Sequence, residues 1–309
     1  MAEAIVVFEG PRGTSHERAL SLVKTFTEIE SLPMFSSRSV LESVYAVPDL
    51  FGIIPVESSM DGLRTSLLDE MAFDRVGVFA CEEVVLAERI EGFTLENDRP
   101  IDTVISHPQI IELCQEFIHQ NELSVRYVAS TDMACAKVVA ERVPSTMALA
   151  PSAVGERHGL GRFSGGIYGE PEVRTRYFLI GHDICKPTGQ DRTMLLVMPS
   201  ADQPGTLAMI SRIFGEHGAN MQSIISRPLA DAVGRHAFYI SCDGHLNSES
   251  VTGTIDELLE AGAFVKPLGS YPEWLGPDVT SPFSVAPSDS LKDQKTAESV
   301  FPYPTLNRS

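Results

Sequence analysis

The stretch AIVVFEGPRGTSHERALSLVKTF, residues 4–26, carries the pattern on which the interpretation of the fold rests. Its apolar run at 4–8 predicts a β-strand, the segment 10–14 predicts a tight turn, and residues 16–26 have helical spacing. Strand, turn and helix in this order are typical of an α/β domain. The turn would present backbone N–H groups at a helix N-terminus, where anions bind favourably. His16 would then be an exposed residue of the first helical turn.

The same alternation of strands and helices continues to about residue 182. Further strands are predicted at 51–56, 75–79, 103–105, 125–128, 147–150 and 177–180, and helices at 110–121, 130–142 and 153–158. This order favours an α/β fold with a largely parallel sheet. A polar segment, 181–192, follows and is typical of a linker.

A second pattern begins after the linker. It predicts strands at 194–198, 220–225, 237–241 and 265–269, with one helix ending at 217 and another at 248–260. This βαββαβ order is the ferredoxin-like arrangement. From Gly276 the periodicity is lost and Pro, Ser and Asp are frequent, so we expect a disordered tail over 276–309.

Composition and charge exclude several classes of protein. The 309 residues include 24 Lys plus Arg and 42 Asp plus Glu, a formal net charge of −18, which disfavours nucleic acid and anionic membrane surfaces as partners. The N-terminus has no basic stretch ahead of its short apolar run, and no run approaches membrane-spanning length. The five cysteines are widely spaced and form no CxxC pair, which indicates reduced thiols and a cytoplasmic protein without a zinc site.

Hydroxyl side chains follow several predicted strands, in segments 55–62, 103–109 and 129–132. Each of these hydroxyls, taken singly, is explained as a helix cap or part of a capped loop. Together they favour a cleft for a small polyanion, because ligands of open α/β sheets collect at the carboxyl ends of strands. Segment 174–177 adds a guanidinium that suits a carboxylate and a threonine hydroxyl that can donate a hydrogen bond, although a pair of surface arginines is an alternative explanation.

Six segments in this order, with this spacing, resemble the prephenate dehydratase family over residues 8–274. They are Gly10-Pro11-x-Gly13-Thr14, Pro55-Val56-Glu57-x-Ser59-x-Asp61-Gly62, Ser106-His107-Pro108-Gln109, Ser130-Thr131, Thr175-Arg176-Tyr177, and the pair Pro204-Gly205-Thr206-Leu207 with Asn220 and Ser226-Arg227-Pro228. The last pair is similar to the family's ACT regulatory domain.

The resemblance implies a bilobal, periplasmic-binding-protein-like catalytic domain over 1–182, with prephenate bound between the lobes. It also implies an ACT domain over 192–275 that senses an aromatic amino acid, and assembly as a homodimer or homotetramer. No metal or organic cofactor is implied. By the resemblance, the catalytic residues are Thr175, Ser59 and Glu57, with Thr175 as donor to the departing ring hydroxyl. Substrate-binding residues are Thr14, Ser15, Ser58, Ser106, Thr131 and Arg176, and effector-binding residues are Gly205, Leu207, Asn220, Ser226 and Arg227.

The chain also departs from the family pattern at several of these positions. Ser15 replaces an aromatic residue, Ser58 and Glu172 each replace an Asn, and Tyr177 replaces a Phe. In the ACT domain, Ile225 replaces a Glu, which argues against control by phenylalanine. The loss of two amides and one aromatic ring around the cleft is similar to the prephenate decarboxylase branch, although that branch lacks the Thr-Arg-Phe signature and the ACT domain.

Three functions are therefore compared. If a proton reaches a ring carbon when carbon dioxide leaves, the ring alcohol survives. The departures favour this nonaromatising prephenate decarboxylase, which makes a dihydro-4-hydroxyphenylpyruvate in specialised amino-acid or antibiotic biosynthesis. If the hydroxyl is protonated instead, water leaves and phenylpyruvate forms, as in a prephenate dehydratase of phenylalanine biosynthesis. A non-catalytic amino-acid sensor is a remote alternative, against which the retention of Thr175 and Arg176 argues.

Overall fold

The first lobe is built on three parallel strands. The computed structural model describes residues 2–74, 77–96, 99–201, 203–229 and 236–279. The elements of the first lobe are β1 (Ala2–Glu9), α1 (Ser15–Ala19, extended by a 3-10 turn at Leu20–Leu22), β2 (Phe26–Met34), α2 (Ser37–Ala46), β3 (Leu50–Ser58), β4 (Gly62–Leu63), α3 (Thr65–Asp69, followed by a π-turn at Glu70–Asp74) and β5 (Phe79–Thr94).

Alternation along β1 explains why this sheet has a helix on each face. Val6 and Phe8 pack in the cluster that includes α1, whereas Val7 packs in the cluster that includes α2. Ser36 caps α2 through a reciprocal hydrogen-bond pair with Ser39, which fixes where that helix begins.

The second lobe continues from β5, which is long enough to serve both lobes. Its elements are β6 (Thr103–Ser106), α4 (Pro108–Leu113), α5 (Gln115–Gln120), β7 (Ser124–Tyr127), α6 (Thr131–Glu141), β8 (Thr146–Pro151), α7 (Ser152–Arg157) and β9 (Gly161–Arg162). Residues 90–94 of β5 pair with β8 and β9. The chain then returns to the first lobe as β10 (Glu172–Gly181), which lies antiparallel between β3 and β5. The fold is therefore α/β with two lobes.

The remaining described elements form the expected βαββαβ unit. They are β11 (Asp191–Met198), α8 (Thr206–Glu216), β12 (Met221–Pro228), β13 (His236–Asp243), α9 (Glu249–Glu260) and β14 (Phe264–Pro272). Leu195 and Val197 pack with the helices, whereas Met194 and Leu196 on the other face pack with the core of the first lobe. The unit is thus held to the first lobe by a shared apolar core.

One backbone pairing also joins the two sheets, giving the strand order β12-β13-β11-β14-β5-β10-β3-β1-β2. It is the single register position at which Gly269 of β14 meets Ala80 of β5. A Cβ atom at 269 would lie 2.2 Å from the carbonyl oxygen of Ala80, so the close approach requires glycine.

The structure differs from the sequence-based expectations in several elements. The first helix ends at Leu22 rather than at 26, and β2 and α2 occupy a region for which no element was predicted. The strand predicted at 75–79 shares only Phe79 with β5, which continues unpredicted to Thr94, and residues 75–76 lie outside the described residues. The helix predicted at 110–121 is divided at Cys114. The edge strand β2 was missed because most of its side chains are polar or exposed.

The predicted tail falls mostly on residues 280–309, which lie outside the described residues. Its first residues do not behave as a free tail, because Asp278 makes hydrogen bonds to Arg174 and Arg176. Across the described ranges, no helix combines the length and the apolar character needed to cross a lipid bilayer.

Candidate active site

Thr175 lies in β10 directly opposite Ser58 of β3 and Leu86 of β5. Residues opposite each other in antiparallel strands share a face of the sheet, and this face packs against α1 through Tyr177 and Leu86. Thr175 is half-buried, and its hydroxyl makes no hydrogen bond within the described residues. The threonine of the signature therefore presents a free donor on the α1 side of the sheet.

Helix α1 lies across this part of β10. The ring of His16 meets that of Tyr177 edge-on, with 5.6 Å between the ring centroids. Two residues further along the helix, Arg18 Nη1 donates to Oε1 of Glu88 at 2.6 Å, and Glu88 is the register partner of Val173. Because strand residues alternate in direction, Thr175 lies on the same side of the sheet as Tyr177, the side on which His16 and Arg18 make these contacts.

His16 is not an exposed residue of the first helical turn, contrary to expectation: only 20% of its side chain is accessible. Burial lowers the pKa of His16, and the positive charge of Arg64 lowers it further, although the carboxylate of Glu9 opposes the shift. The Nδ1 atom of His16 is buried without a hydrogen-bond partner among the described residues. Burial thus favours the neutral form of this ring, which lies beside Tyr177.

Arg64 supplies a cation on the same side. It precedes α3, and its closest carboxylate is Asp61, with 4.0 Å between Nη2 and Oδ2. At 43% exposure its side chain is open to solvent and loosely paired. Neither Arg64 nor Arg18 is among the site residues predicted from the sequence. Their only signal was a positive charge near a motif, which is weak evidence without knowledge of which face each residue occupies.

Residues 59–61 bring the two lobes together. Ser59 N donates to the carbonyl of Arg174 at 2.9 Å, and Arg174 N donates to Oγ of Ser59 at 3.1 Å. Asp61 accepts a hydrogen bond from Gln109 Nε2 of the second lobe. Met60 between them packs against the apolar core of that lobe. Two of the quoted motifs therefore meet at the boundary between the lobes.

The turn at 10–14 meets the second lobe through Arg157. Its Nη1 donates to the carbonyl of Arg12 at 3.2 Å, and its Nη2 donates to Asp132, the residue after Thr131. Burial opposes the ionisation of Asp132, but hydrogen bonds from His158 and Arg157 outweigh it and lower the pKa of that carboxyl. The turn that contains Thr14 and the N-terminus of α6 that contains Thr131 are thus bridged by one side chain.

Three other hydroxyls predicted at the site, those of Thr14, Ser58 and Ser106, form hydrogen bonds with backbone atoms of the protein. Thr14 Oγ1 donates to the carbonyl of Glu9 at 3.3 Å, and Ser58 Oγ accepts from Met60 N at 3.2 Å. Ser15 begins α1 and is half-buried. Ser106 is fully buried and donates to the carbonyl of Leu149 at 2.6 Å inside the second lobe. This placement argues against Ser106 as a substrate ligand, because its hydroxyl already serves the core.

Arg176 does not share the α1 face with Thr175. Neighbouring residues of a strand point to opposite faces, and Arg176 donates to Glu57 at 2.9 Å, to Glu83 at 2.7 Å and to the carboxylate of Asp278. Burial opposes its charge, but the carboxylates of Glu83 and Glu57 outweigh burial and raise the pKa of Arg176. The expectation that Arg176 and Glu57 act with Thr175 in one pocket is thus corrected: they form a separate group on the other face.

The residues expected to bind an effector are distributed over the βαββαβ unit. Gly205 precedes α8 in a left-handed conformation, Leu207 is exposed on that helix, and Asn220 Nδ2 donates to Asp243 at 3.0 Å. Ser226 is exposed on β12. Arg227 instead contacts the first lobe, with Nη2 2.6 Å from Oδ2 of Asp69, so its charge is already paired.

Within the described ranges, no group of three His, Cys, Asp or Glu residues is arranged to hold a metal ion.

Comparison with known proteins gives a consistent result. The sequence profile named prephenate dehydratase matches residues 6–184. The bifunctional chorismate mutase/prephenate dehydratase of Stutzerimonas stutzeri is 29% identical over 274 residues, which cover 87% of this chain and 73% of that protein. The prephenate dehydratase of Mycolicibacterium gilvum is 28% identical over 284 residues, which cover 86% of this chain and 90% of that protein.

A solved structure has the same fold. The crystal structure of prephenate dehydratase from Arthrobacter aurescens, in complex with L-Phe, superposes with a TM-score of 0.75. The two proteins are 24% identical, and the superposition covers 87% of this chain and 90% of that one.

Proposed function

The chain belongs to the prephenate dehydratase family, and on that premise we propose that it converts prephenate to phenylpyruvate, carbon dioxide and water. The observation that carries the proposal is the position of Thr175. The residue is partly exposed, its hydroxyl makes no hydrogen bond within the described residues, and it lies on the side of the sheet where His16 of α1 packs against Tyr177. A free donor at this position fits an oxygen that must leave as water.

Substrate binding is assigned to the α1 face of the sheet. Prephenate is a dianion, so its carboxylates require cations or N–H donors. Arg64 has a side chain open to solvent and a carboxylate no closer than 4.0 Å, so it can pair with a substrate carboxylate. The backbone N–H groups that follow Gly13, with Thr14 and Ser15, lie at the start of α1 and provide further donors. Thr131 lies across the lobe boundary, next to Asp132.

The reaction can be written with these groups. The bond between the ring carbon and the departing carboxylate breaks, and its electron pair becomes part of the ring π-system. The carbon–oxygen bond at the opposite ring position then breaks with its electron pair on oxygen, and the leaving hydroxide takes up a proton from the solvent to depart as water. A hydrogen bond from Thr175 stabilises the charge that develops on that oxygen. A positioned donor of this kind typically contributes about 10²–10⁴-fold in rate.

Ser59 and Glu57 act indirectly in this account. Ser59 holds the backbone of β10 through two hydrogen bonds to Arg174, directly before Thr175. Glu57 accepts a hydrogen bond from Arg176, the residue directly after Thr175. Both residues therefore fix the position of Thr175 rather than contact the substrate.

Nonaromatising decarboxylation is the second candidate, and one observation favours it. Ser58 stands where the family motif has an amide, and it lies directly opposite Thr175. The change therefore falls beside the proposed donor and could redirect the proton to a ring carbon, as in specialised biosynthesis. The second departure from the family pattern, Glu172 in place of an Asn, supports the decarboxylase less. Its carboxylate accepts a hydrogen bond from Arg174 Nε at 2.7 Å, so its charge is already paired.

Regulation by an aromatic amino acid at an ACT domain stays a prediction, as does assembly as a homodimer or homotetramer. The βαββαβ order supports the ACT assignment. The pairing of Arg227 with Asp69 leaves that arginine less available to an effector.

The product decides between the candidates. Purified protein is incubated with prephenate at neutral pH, and the proton NMR spectrum is followed beside an enzyme-free sample that records spontaneous aromatisation. We expect aromatic ring signals of phenylpyruvate to appear with enzyme. Ring alkene signals that persist while carbon dioxide is released would support the decarboxylase instead. A rate equal to that of the enzyme-free sample would favour the non-catalytic sensor.

A further inference from the structure

Two of the five cysteines meet in space although they are 104 positions apart in the sequence. Cys81 lies in β5, and Cys185 lies in the connector, residues 182–190, which joins β10 to β11. Cys185 Sγ donates to the carbonyl oxygen of Cys81 at 2.8 Å, and the two sulfur atoms lie within hydrogen-bonding distance of each other. The fold therefore contains a thiol pair that the spacing of the cysteines did not predict.

A break in the strand register places Cys81 beside the connector. Ala80 of β5 pairs with Ile180 of β10, and Glu82 pairs with Leu179. Cys81 between them is therefore the extra residue of a β-bulge and has no register partner in β10. A bulged residue leaves the ladder, and its side chain is turned in a new direction. The thiol of Cys81 donates to the carbonyl of Leu179 at 3.3 Å, while its own carbonyl is open to Cys185.

The two thiols differ in reactivity because their surroundings differ. Cys81 is only 2% exposed, and its hydrogen bond with Cys185 and its burial raise its pKa well above the ordinary value. Cys185 is partly exposed. Once Cys185 ionises, the S–H of Cys81 can donate to its thiolate, and this hydrogen bond lowers the pKa of Cys185 more than burial raises it. Since the thiolate is the nucleophile, Cys185 is the thiol that reacts first and Cys81 is the one held behind it.

The charges around Cys185 select the kind of oxidant. The carboxylates of Glu82, Asp191 and Asp183 all oppose the ionisation of this thiol, so the local potential is negative. An anionic oxidant such as a glutathione disulfide is repelled by this potential, whereas a small neutral hydroperoxide is not.

We propose that Cys185 and Cys81 form a peroxide-sensitive site that closes to a disulfide. The thiolate of Cys185 attacks one oxygen of hydrogen peroxide, the O–O bond breaks, and a sulfenic acid forms while the hydroxide released takes up the thiol proton as water. The sulfur of Cys81 then attacks the sulfenic sulfur, the S–O bond breaks, and a second water leaves with the proton of Cys81. The two thiols together lose two electrons and two protons, and one peroxide is reduced to two waters.

The disulfide ties the connector to the first lobe beside the joint with the βαββαβ unit. Ala80, the neighbour of Cys81, is the residue whose backbone pairs with Gly269 of β14. The carbonyl of Cys185 accepts from Nε2 of His245, which belongs to the βαββαβ unit, at 2.8 Å. Oxidation therefore fixes the connector between two elements that it already contacts.

Mass spectrometry tests the site directly. The reduced full-length protein is treated with hydrogen peroxide, its remaining thiols are labelled with N-ethylmaleimide under denaturing conditions, and the intact mass and a non-reducing peptide map are recorded. The reduced chain has five thiols to label, so we expect five maleimide groups before oxidation and three after it. Residues 81 and 185 should appear in one linked peptide, and dithiothreitol should restore all five labels.

Single substitutions separate the roles of the two thiols. Cys81→Ala should stop the reaction at the sulfenic acid of Cys185, which dimedone captures. Cys185→Ala should leave Cys81 reduced, because Cys81 is buried. Cys242→Ala is the matched control, since Cys242 is also buried and burial raises its pKa to about 12. It should leave the bond between 81 and 185 unchanged, and thermal melts confirm that each variant folds.

The oxidised connector should also exchange its amide hydrogens several-fold more slowly than the reduced one, because opening of the segment is restricted. Four results would overturn the proposal: no disulfide between 81 and 185 by the peroxide dose at which methionine oxidation appears, either cysteine linked to a different partner, dimedone on Cys81 rather than Cys185, or amide exchange in the connector that oxidation does not slow. None of these measurements uses prephenate, so the inference does not depend on the proposed activity.

Discussion

Thr175 and Ser58 lie directly opposite each other on the antiparallel strands β10 and β3, so their side chains share the α1 face of the sheet. The hydroxyl of Ser58 is occupied by the backbone N–H of Met60, whereas that of Thr175 makes no hydrogen bond within the described residues. Two hydroxyls at adjacent positions thus differ in role: one closes a turn, and the other is available to a substrate.

Thr175→Val should remove activity and leave the fold intact. Valine has nearly the same shape, so the substitution deletes only the donor. We expect kcat/KM to fall by about 10²–10⁴-fold, measured as phenylpyruvate formation, with an unchanged melting curve. Thr175→Ser restores the hydroxyl and should recover most of the rate. Valine at this position with more than a tenth of the activity would exclude Thr175 as the donor.

Arg64→Gln should weaken substrate binding more than turnover. The charge of Arg64 is loosely paired with Asp61 and open to solvent, so its loss acts mainly on a bound carboxylate. We expect KM for prephenate to rise about tenfold or more. Arg38 on α2 is a matched control, since it is also exposed and pairs with Glu42 at 3.4 Å. Equal KM values for Arg64→Gln and Arg38→Gln would contradict the assignment.

Glu83→Gln should destabilise the protein strongly. The substitution leaves the charges of Arg176 and Arg192 buried with fewer counter-charges, a change that costs about 3–5 kcal/mol when a buried ion pair is broken. The free energy of unfolding is measured by urea titration. The control is Glu141→Gln, which breaks an exposed ion pair with Arg126 and should change the unfolding curve little. Similar losses in both variants would contradict this account.

The stability of the protein should fall below about pH 6.5, in part because of His16. Burial holds its pKa below the ordinary value of 6.5, so the unfolded chain takes up this proton more readily than the folded one. The stability that neutral His16 contributes is fully present above pH 6.5, and it is lost as the pH falls through the folded-state pKa of His16. Melting temperatures between pH 7.5 and 5.5 should fall less steeply for His16→Gln than for the unmodified chain. The exposed His119, changed to Gln, controls for the loss of a histidine elsewhere, and parallel curves for all three proteins would refute the prediction.

Periodicity was enough to predict several of the core strands and the second unit of the fold. The strand pattern at 177–180 and the βαββαβ order were confirmed, because buried apolar runs set both elements. The edge strand β2 was not predicted, since an exposed strand has no need of an apolar face. Burial alone was not sufficient, because α2, with Val40, Leu41 and Val44 buried, and most of the buried strand β5 were not predicted either.

The site was less predictable than the fold. Alternation along β10 places Thr175 and Arg176 on opposite faces, but the strand predicted at 177–180 did not include either residue. The proximity of His16 and Arg64 to Tyr177 could not be seen in the same way. It depends on how α1 and the segment before α3 pack on the sheet, which no local pattern encodes.

The meeting of Gly269 with Ala80 is the one backbone register pair that joins the two sheets within the described residues, beside the apolar core that they share. A side chain at 269 would push the two ladders apart, and each would then end in an unprotected border of unpaired N–H and C=O groups. Such borders recruit strands from other molecules. Glycine at 269 thus keeps the edges of β5 and β14 together, and a larger residue there should expose both edges to strands of other molecules.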